Sequence, residues 1–186
     1  LRIQIYLDTA NQNYDVDGTL AYKNLLGKAS FEQADSLGSP YWQKANPSGG
    51  VTQWARYNTG GPKSGTWLLQ ANSNPAGGSV YQDIAIAPAV DESHTFVIWL
   101  RCNSGCTASS PLNGSVVLWG LTPNDGTGTS FSFTSVGTWE PVYASLDVDT
   151  AGHTSMRAQV YINTAQRNLD LDAGGNSVSF CHSATC

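Results

Sequence analysis

Charge is scarce in this chain. Nine Lys and Arg stand against 14 Asp and Glu, together 12% of the 186 residues, for a net charge of −5. The basic residues are scattered singly, so nothing tracks a phosphate backbone and a nucleic-acid partner is excluded. Long apolar runs are also missing, and no stretch approaches the roughly 18 residues of a spanning helix, so no membrane span is expected. The three histidines, His94, His153 and His182, are far apart and form no H-x-H pair, which argues against a cupin-like metal site. Glutamate occurs only as Glu32, Glu92 and Glu140, without the E-x-D-x-x-E string of jelly-roll glucanases. Neither a G-x-S-x-G elbow nor a P-loop occurs. With no catalytic centre legible, the chain is read as a non-enzyme, the remaining alternative being a hydrolase whose site is assembled from distant loops. Helical periodicity is absent too: no segment of ten or more residues carries a 3.6-residue apolar repeat.

What the chain does contain is 19 Gly, 6 Trp and 8 Tyr, set among many Ser, Thr and Asn. That mixture is too aromatic for a disordered chain and too rich in turn-formers for a helical bundle. Alternating apolar and polar runs predict strands over residues 53–57, 66–71, 79–86, 95–101, 115–121, 130–134, 138–146 and 156–162, with a short last one at 177–180. The clearest has Met156, Ala158, Val160 and Ile162 on one side and Arg157, Gln159, Tyr161 and Asn163 on the other. Nine or ten strands at this spacing predict an all-β fold, a two-sheet antiparallel β-sandwich or jelly roll.

Four cysteines come as two close pairs, Cys102 with Cys106 and Cys181 with Cys186. Neither spacing suits a zinc ribbon, and no histidine stands at finger distance, so disulfides are the better reading. Short separations with intervening Gly or Ser favour local pairing, Cys102–Cys106 and Cys181–Cys186. With the low charge, an even cysteine count predicts a secreted or cell-surface protein. No signal peptide precedes Leu1, as expected of a mature or trimmed form.

The sequence also repeats itself. LRIQIYLDTANQNYDVDG at residues 1–18 lies without gaps over MRAQVYINTAQRNLDLDA beginning at Met156. Identical pairs are Arg2/Arg157, Gln4/Gln159, Tyr6/Tyr161, Thr9/Thr164, Ala10/Ala165, Asn13/Asn168, Asp15/Asp170 and Asp17/Asp172. Residues 1–23 are therefore read as the closing strands of a preceding like module, with 24–186 forming one whole module. Two alternatives remain open: residues 1–22 add an edge strand to this same sandwich, or donate one to a neighbouring chain.

From residue 24 onward, five segments in order carry a family resemblance: NLLGKASFE at 24–32, GGSVYQDIAIAP at 77–88, HTFVIWLRC at 94–102, GTWEPVYASLDV at 137–148 and SMRAQVYINTAQRNLDLD at 155–172. Together they resemble carbohydrate-binding modules of the family 4, 9 and 22 type, a galactose-binding-domain-like jelly roll. The resemblance implies an opening strand at 24–32, attachment to extracellular polysaccharide-degrading enzymes or surface proteins, and a structural calcium ion. The cysteine pairs and a long loop over 102–113 depart from the family pattern.

A sugar presents flat C–H faces to aromatic rings and hydroxyls to planar amides, carboxylates and guanidinium groups. Candidate contacts are Tyr41 and Trp42, Trp54, Arg56 and Tyr57, Trp67, Gln82, and the trio Arg157, Gln159 and Tyr161 on one strand face. Gln82 and Gln159 have strand-edge capping as an alternative. Trp99 and Trp119 sit inside apolar runs and are read as core. For calcium, the resemblance points to Glu32 after the opening strand and Asp172 at the end of the last long one, with loop carbonyls completing an oxygen shell. Asp17 is the counterpart of Asp172 in the preceding copy. The expected function is extracellular, non-catalytic binding of a polysaccharide or glycan, with like modules as further partners. The alternative is a structural or adhesive sandwich repeat of a surface or filament protein without sugar affinity.

Overall fold

The computed structural model describes residues 25–45, 50–122, 129–172 and 179–181. The expected module boundary near residue 23 and the segment before it lie outside these residues, as does Cys186. Eleven strands form among the described residues: β1 (Gln43–Ala45), β2 (Gly50–Tyr57), β3 (Leu68–Asn74), β4 (Gly78–Ile84), β5 (Ser93–Ser104), β6 (Leu112–Leu121), β7 (Thr129–Ser135), β8 (Glu140–Asp147), β9 (Ser155–Ile162), β10 (Asn168–Asp172) and β11 (Ser179–Cys181). No helix occurs among them.

The strands build two antiparallel sheets. One has the order β1-β4-β9-β6-β7. The other runs β8-β5-β10-β3-β2, and β11 extends the β10 row by pairing with the opposite end of β5. Alternation decides which side chains meet between the sheets, because successive residues of a strand point to opposite faces. In β9 the inward set is Met156, Ala158, Val160 and Ile162, and in β5 it is His94, Phe96, Ile98, Leu100 and Cys102, all buried. Leu69, Leu118 and Leu169 join this layer at zero exposure. Each such aliphatic side chain contributes about 1.5–3 kcal/mol of burial. An aromatic row closes one end of the core, with Trp42 5.4 Å from Phe31 and 6.4 Å from Phe96 between ring centroids.

Three expectations change. The opening segment 24–32 was expected as a strand, but its described residues form turns, and Lys28 and Phe31 adopt positive φ of 50° and 60°. The Phe31 ring is fully buried, and the carbonyls of Phe31 and Glu32 are taken by Arg56 Nε and Nη2 at 2.6 and 2.9 Å rather than by a strand neighbour. The long loop over 102–113 shrinks to 105–111, because β5 runs to Ser104 and β6 starts at Leu112. The Cys102–Cys106 disulfide, Cα–Cα 6.3 Å, ties the end of β5 to that turn. Finally, β1 and β10 were not among the strands expected from alternation, although the family resemblance put closing strands over residues 155–172. β1 has three residues, too few to show a period, and β10 carries two aspartates, a residue type depleted in strands.

Candidate functional site

Because β9 is central in its sheet, its outward residues have neighbours on both sides. Arg157, Gln159 and Tyr161 stand opposite Asp83, Tyr81 and Ser79 of β4, and opposite Trp119, Val117 and Ser115 of β6. A groove of about 300 Å³ crosses this face, lined by Ala45, Trp119, Leu121, Arg157, Gln159 and Tyr161. Gln159 in its lining is buried, whereas the rings of Trp119 and Tyr161 are half-buried.

The polar groups of the groove are held in place from β4. Arg157 donates from Nε and Nη2 to the two oxygens of Asp83 at 2.6 and 3.1 Å, and its guanidinium lies 4.1 Å over the Tyr81 ring. The hydrogen-bonded Asp83 carboxylate raises the Arg157 pKa further above its already high ordinary value. Gln159 donates from Nε2 to Ser79 Oγ at 2.7 Å. Burial pushes the Tyr161 phenol up from its ordinary pKa, so the ring is neutral at physiological pH. The result is two aromatic rings around a fixed amide, beside a guanidinium whose charge a carboxylate balances. Such a surface can pack flat apolar faces and bond neutral hydroxyls.

The other sequence candidates lie elsewhere. Trp42 is a correction: its ring is fully buried between Phe31 and Phe96 and has no face for a ligand. Gln82 is another, since it pairs with Ala158 on the inward register of β4 and donates to the Gly27 carbonyl at 2.9 Å. Trp54 and Trp67 pack partly buried against the core, and the Arg56 guanidinium covers Trp67 at 4.2 Å. Tyr41 is covered likewise by the Lys28 ammonium at 4.2 Å. Tyr57 points outward from the opposite sheet, where its hydroxyl accepts from Gln53 Nε2 at 2.8 Å. Only the β9 trio is brought together in the groove.

Trp99 and Trp119 are not core. Both point outward and are half-buried, with Lys63 Nζ 4.2 Å over the Trp99 ring. Alternation held the signal for Trp119: Val116 and Leu118 face in, so Trp119 must face out. Its outward neighbours Val117 and Leu121 are themselves apolar, and they hid the parity. Tyr81 and Asp83 were missed because only strand pairing, 74 or more residues apart in sequence, sets them beside Gln159 and Arg157.

The two residues expected to bind calcium converge on one loop. Glu32 Oε1 accepts from the backbone N–H of Thr66 and of Trp67, both at 2.9 Å. Asp172, fully buried, accepts from Ser64 N–H at 2.9 Å and from Ser64 Oγ at 3.4 Å. Between them Gly65 adopts φ +63°, and a Cβ there would strike the Glu32 carboxylate. Both carboxylates accept from donors of the 64–67 segment, and a hard cation here would have to take its oxygens from them together with further loop carbonyls. Among the described residues no group of three or more His, Cys, Asp or Glu gathers at a metal-binding distance.

No protein-family model and no curated protein matches this sequence. Solved structures do match in fold. The CBM22-1 xylan-binding domain from Paenibacillus barcinonensis Xyn10C aligns with a TM-score of 0.62 at 11% identity, covering 91% of this chain and 100% of its own. TmCBM61, solved in complex with β-1,4-galactotriose, aligns at 0.57 and 11% identity, covering 87% and 99%. A CBM4 structure aligns at 0.59 and 9% identity, covering 84% and 98%. In fold, this chain resembles carbohydrate-binding modules of the CBM4, CBM22 and CBM61 kinds, an all-β jelly-roll sandwich.

Proposed function

We propose that this chain is a non-catalytic carbohydrate-binding module of a secreted or cell-surface protein, and that its glycan lies in the groove over β9 and β6. The observation that carries this reading is the pair of rings, Trp119 and Tyr161, set around Gln159 on one open sheet face. Tyr161 lies four residues along β9 from Arg157, the partner of Trp119, a span of roughly 13 Å at strand rise. That length suits an oligosaccharide rather than one sugar. Mutual pairing of Arg157 and Asp83 leaves the groove without a net cation, which favours a neutral glycan over an acidic one. The solved neighbours point the same way, one holding β-1,4-galactotriose and another being named a xylan-binding domain. The Cys102–Cys106 bridge accords with an oxidising, extracellular setting.

A calcium ion in this reading is structural. Glu32 and Asp172 would hold it beside the 64–67 loop, and it would supply cohesion between the start and the end of the module, with no chemistry of its own.

A glycan array spanning galactans, xylans, glucans and uronic-acid polymers tests the proposal. Selective retention on one class of neutral glycan is expected. Failure to bind any immobilised or soluble glycan would instead favour a structural sandwich repeat.

A further inference from the structure

Asparagine is abundant in this chain, yet only Asn113-Gly114-Ser115 forms an Asn-x-Ser/Thr tripeptide with a residue other than Pro at its centre. The nearest rival, Asn46-Pro47-Ser48, carries Pro there. In a sequence rich in Asn, Ser and Thr such a tripeptide arises easily by chance, so its place in the fold has to decide what it means.

Asn113 is the second residue of β6, and its backbone is held in the sheet. Its N–H donates to Thr164 Oγ1 at 2.9 Å, and its carbonyl accepts from the Asn163 N–H at 2.9 Å. The side chain, by contrast, is exposed. Its Oδ1 accepts from Thr134 Oγ1 at 2.9 Å, and its Nδ2 donates to no described residue. A substituent on Nδ2 therefore breaks no contact of the fold. Asn113 shares the outer face of Trp119, because the two stand an even number of residues apart in one strand. Ser115 stands opposite Tyr161, so Asn113 lies one outward position farther, roughly 7 Å beyond that row.

We infer that Asn113 is an N-glycosylation site, and that its glycan stands at the Tyr161 end of the groove and closes that end to a longer ligand. The site rests on the secreted reading, and its effect rests on the groove being the glycan site. The co-reactant is an oligosaccharide carried on a lipid diphosphate. Nδ2 bonds to the anomeric carbon of the first sugar, and the bond from that carbon to the diphosphate oxygen breaks. The lipid diphosphate leaves with the electron pair, and the amide proton passes to a base of the transferase. Transfer precedes folding, so the fold has only to leave room for the product, which an exposed Asn113 does. The Trp119 end stays open.

The test compares the full chain secreted from a eukaryotic cell with the same sequence made in a bacterial periplasm. Mass spectrometry of the secreted chain should find a glycan on the peptide containing Asn113. It should find none in Asn113→Gln, nor in Ser115→Ala, which keeps the asparagine and removes the hydroxyl that the transferase requires. A bare Asn113 in the secreted, folded chain overturns the inference. The glycan-free chain should bind soluble galactan, xylan or β-glucan severalfold more tightly than the glycosylated one, with β-1,4-galactotriose bound equally by both. Equal polymer affinity of the two preparations overturns the closing of the groove end. Binding of no glycan by either preparation sinks the groove itself, while the mass of the secreted chain still decides the site.

Discussion

The two outer faces of this sandwich are both rich in polar and aromatic side chains, yet they spend them differently. On the β1-β4-β9-β6-β7 face, Arg157 and Gln159 are anchored from β4, and the rings of Trp119 and Tyr161 stay half open around them. On the opposite face the polar groups are used up on one another. Asp170, at zero exposure, accepts from Gln70 Nε2 at 2.8 Å, Arg101 Nε and Nη2 at 3.0 and 2.9 Å, and Asn103 Nδ2 at 2.8 Å. Gln70 Oε1 in turn accepts from Gln53 Nε2 at 2.7 Å. The aromatic rings there are occupied as well: Arg101 lies 4.5 Å over Trp139, whose Nε1 donates to the Gly61 carbonyl at 3.1 Å. Aromatic and amide content alone therefore does not mark a recognition surface. What distinguishes the groove is that its ring faces are left available while its polar atoms are fixed.

The largest expected effect breaks the closed face. Asp170→Ala removes the acceptor of four hydrogen bonds and strips the Arg101 guanidinium of its counter-charge, which should cost about 3 kcal/mol of stability. Chemical denaturation reads the loss; a variant as stable as the parent would show that the network is not structural. Calcium comes next. If free calcium stands a hundredfold above its Kd, the folded state gains about 2.7 kcal/mol. Stripping the metal should then lower the Tm by several degrees, and Asp172→Ala should make the Tm insensitive to calcium. Identical melting of stripped protein with and without calcium would remove the site.

How much of this was readable beforehand follows from the range over which each signal acts. Strand alternation is local, so the β9 trio and its common face were plain from six neighbouring residues, and so was the Cys102–Cys106 pairing. Trp42 was misread because a Tyr-Trp pair between Pro40 and Gln43 looks like an exposed loop. What buries it is Phe96, 54 residues away. β10 could not be read from its own alternation for a similar reason, since its outward aspartates become tolerable in a strand only once Arg101 and Ser64 reach them from distant segments. Glu32 and Asp172 were singled out through the family resemblance, and the structure sets both against one loop that no local pattern would have indicated.

Two smaller effects sharpen the contrast. Gln159→Ala should weaken glycan binding about fivefold, the value of one hydrogen bond near 1 kcal/mol, with the Tm little changed. Isothermal titration settles it, and an unaltered Kd would show that the amide serves the sheet through Ser79 and not the ligand. The smallest effect belongs to the shared interior. Burial lowers the pKa of His94, against a partial upward pull from Glu92. The unfolded chain therefore binds the proton more readily than the folded one. The stability this contributes is complete above about pH 6.5 and is lost as the pH falls from there through the lowered folded value. His94→Gln should flatten that part of the Tm–pH curve and leave glycan binding alone; an unchanged curve would contradict it.

The central claim, that the open face and not the closed one takes the glycan, is tested most directly by affinity electrophoresis of three proteins through gels containing galactan, xylan or β-glucan. The parent chain and Trp139→Ala should be retarded by the same polysaccharide, and Trp119→Ala should migrate as if none were present while keeping a cooperative melting transition. Retardation of Trp119→Ala equal to that of the parent, or its loss in Trp139→Ala alone, would contradict the assignment.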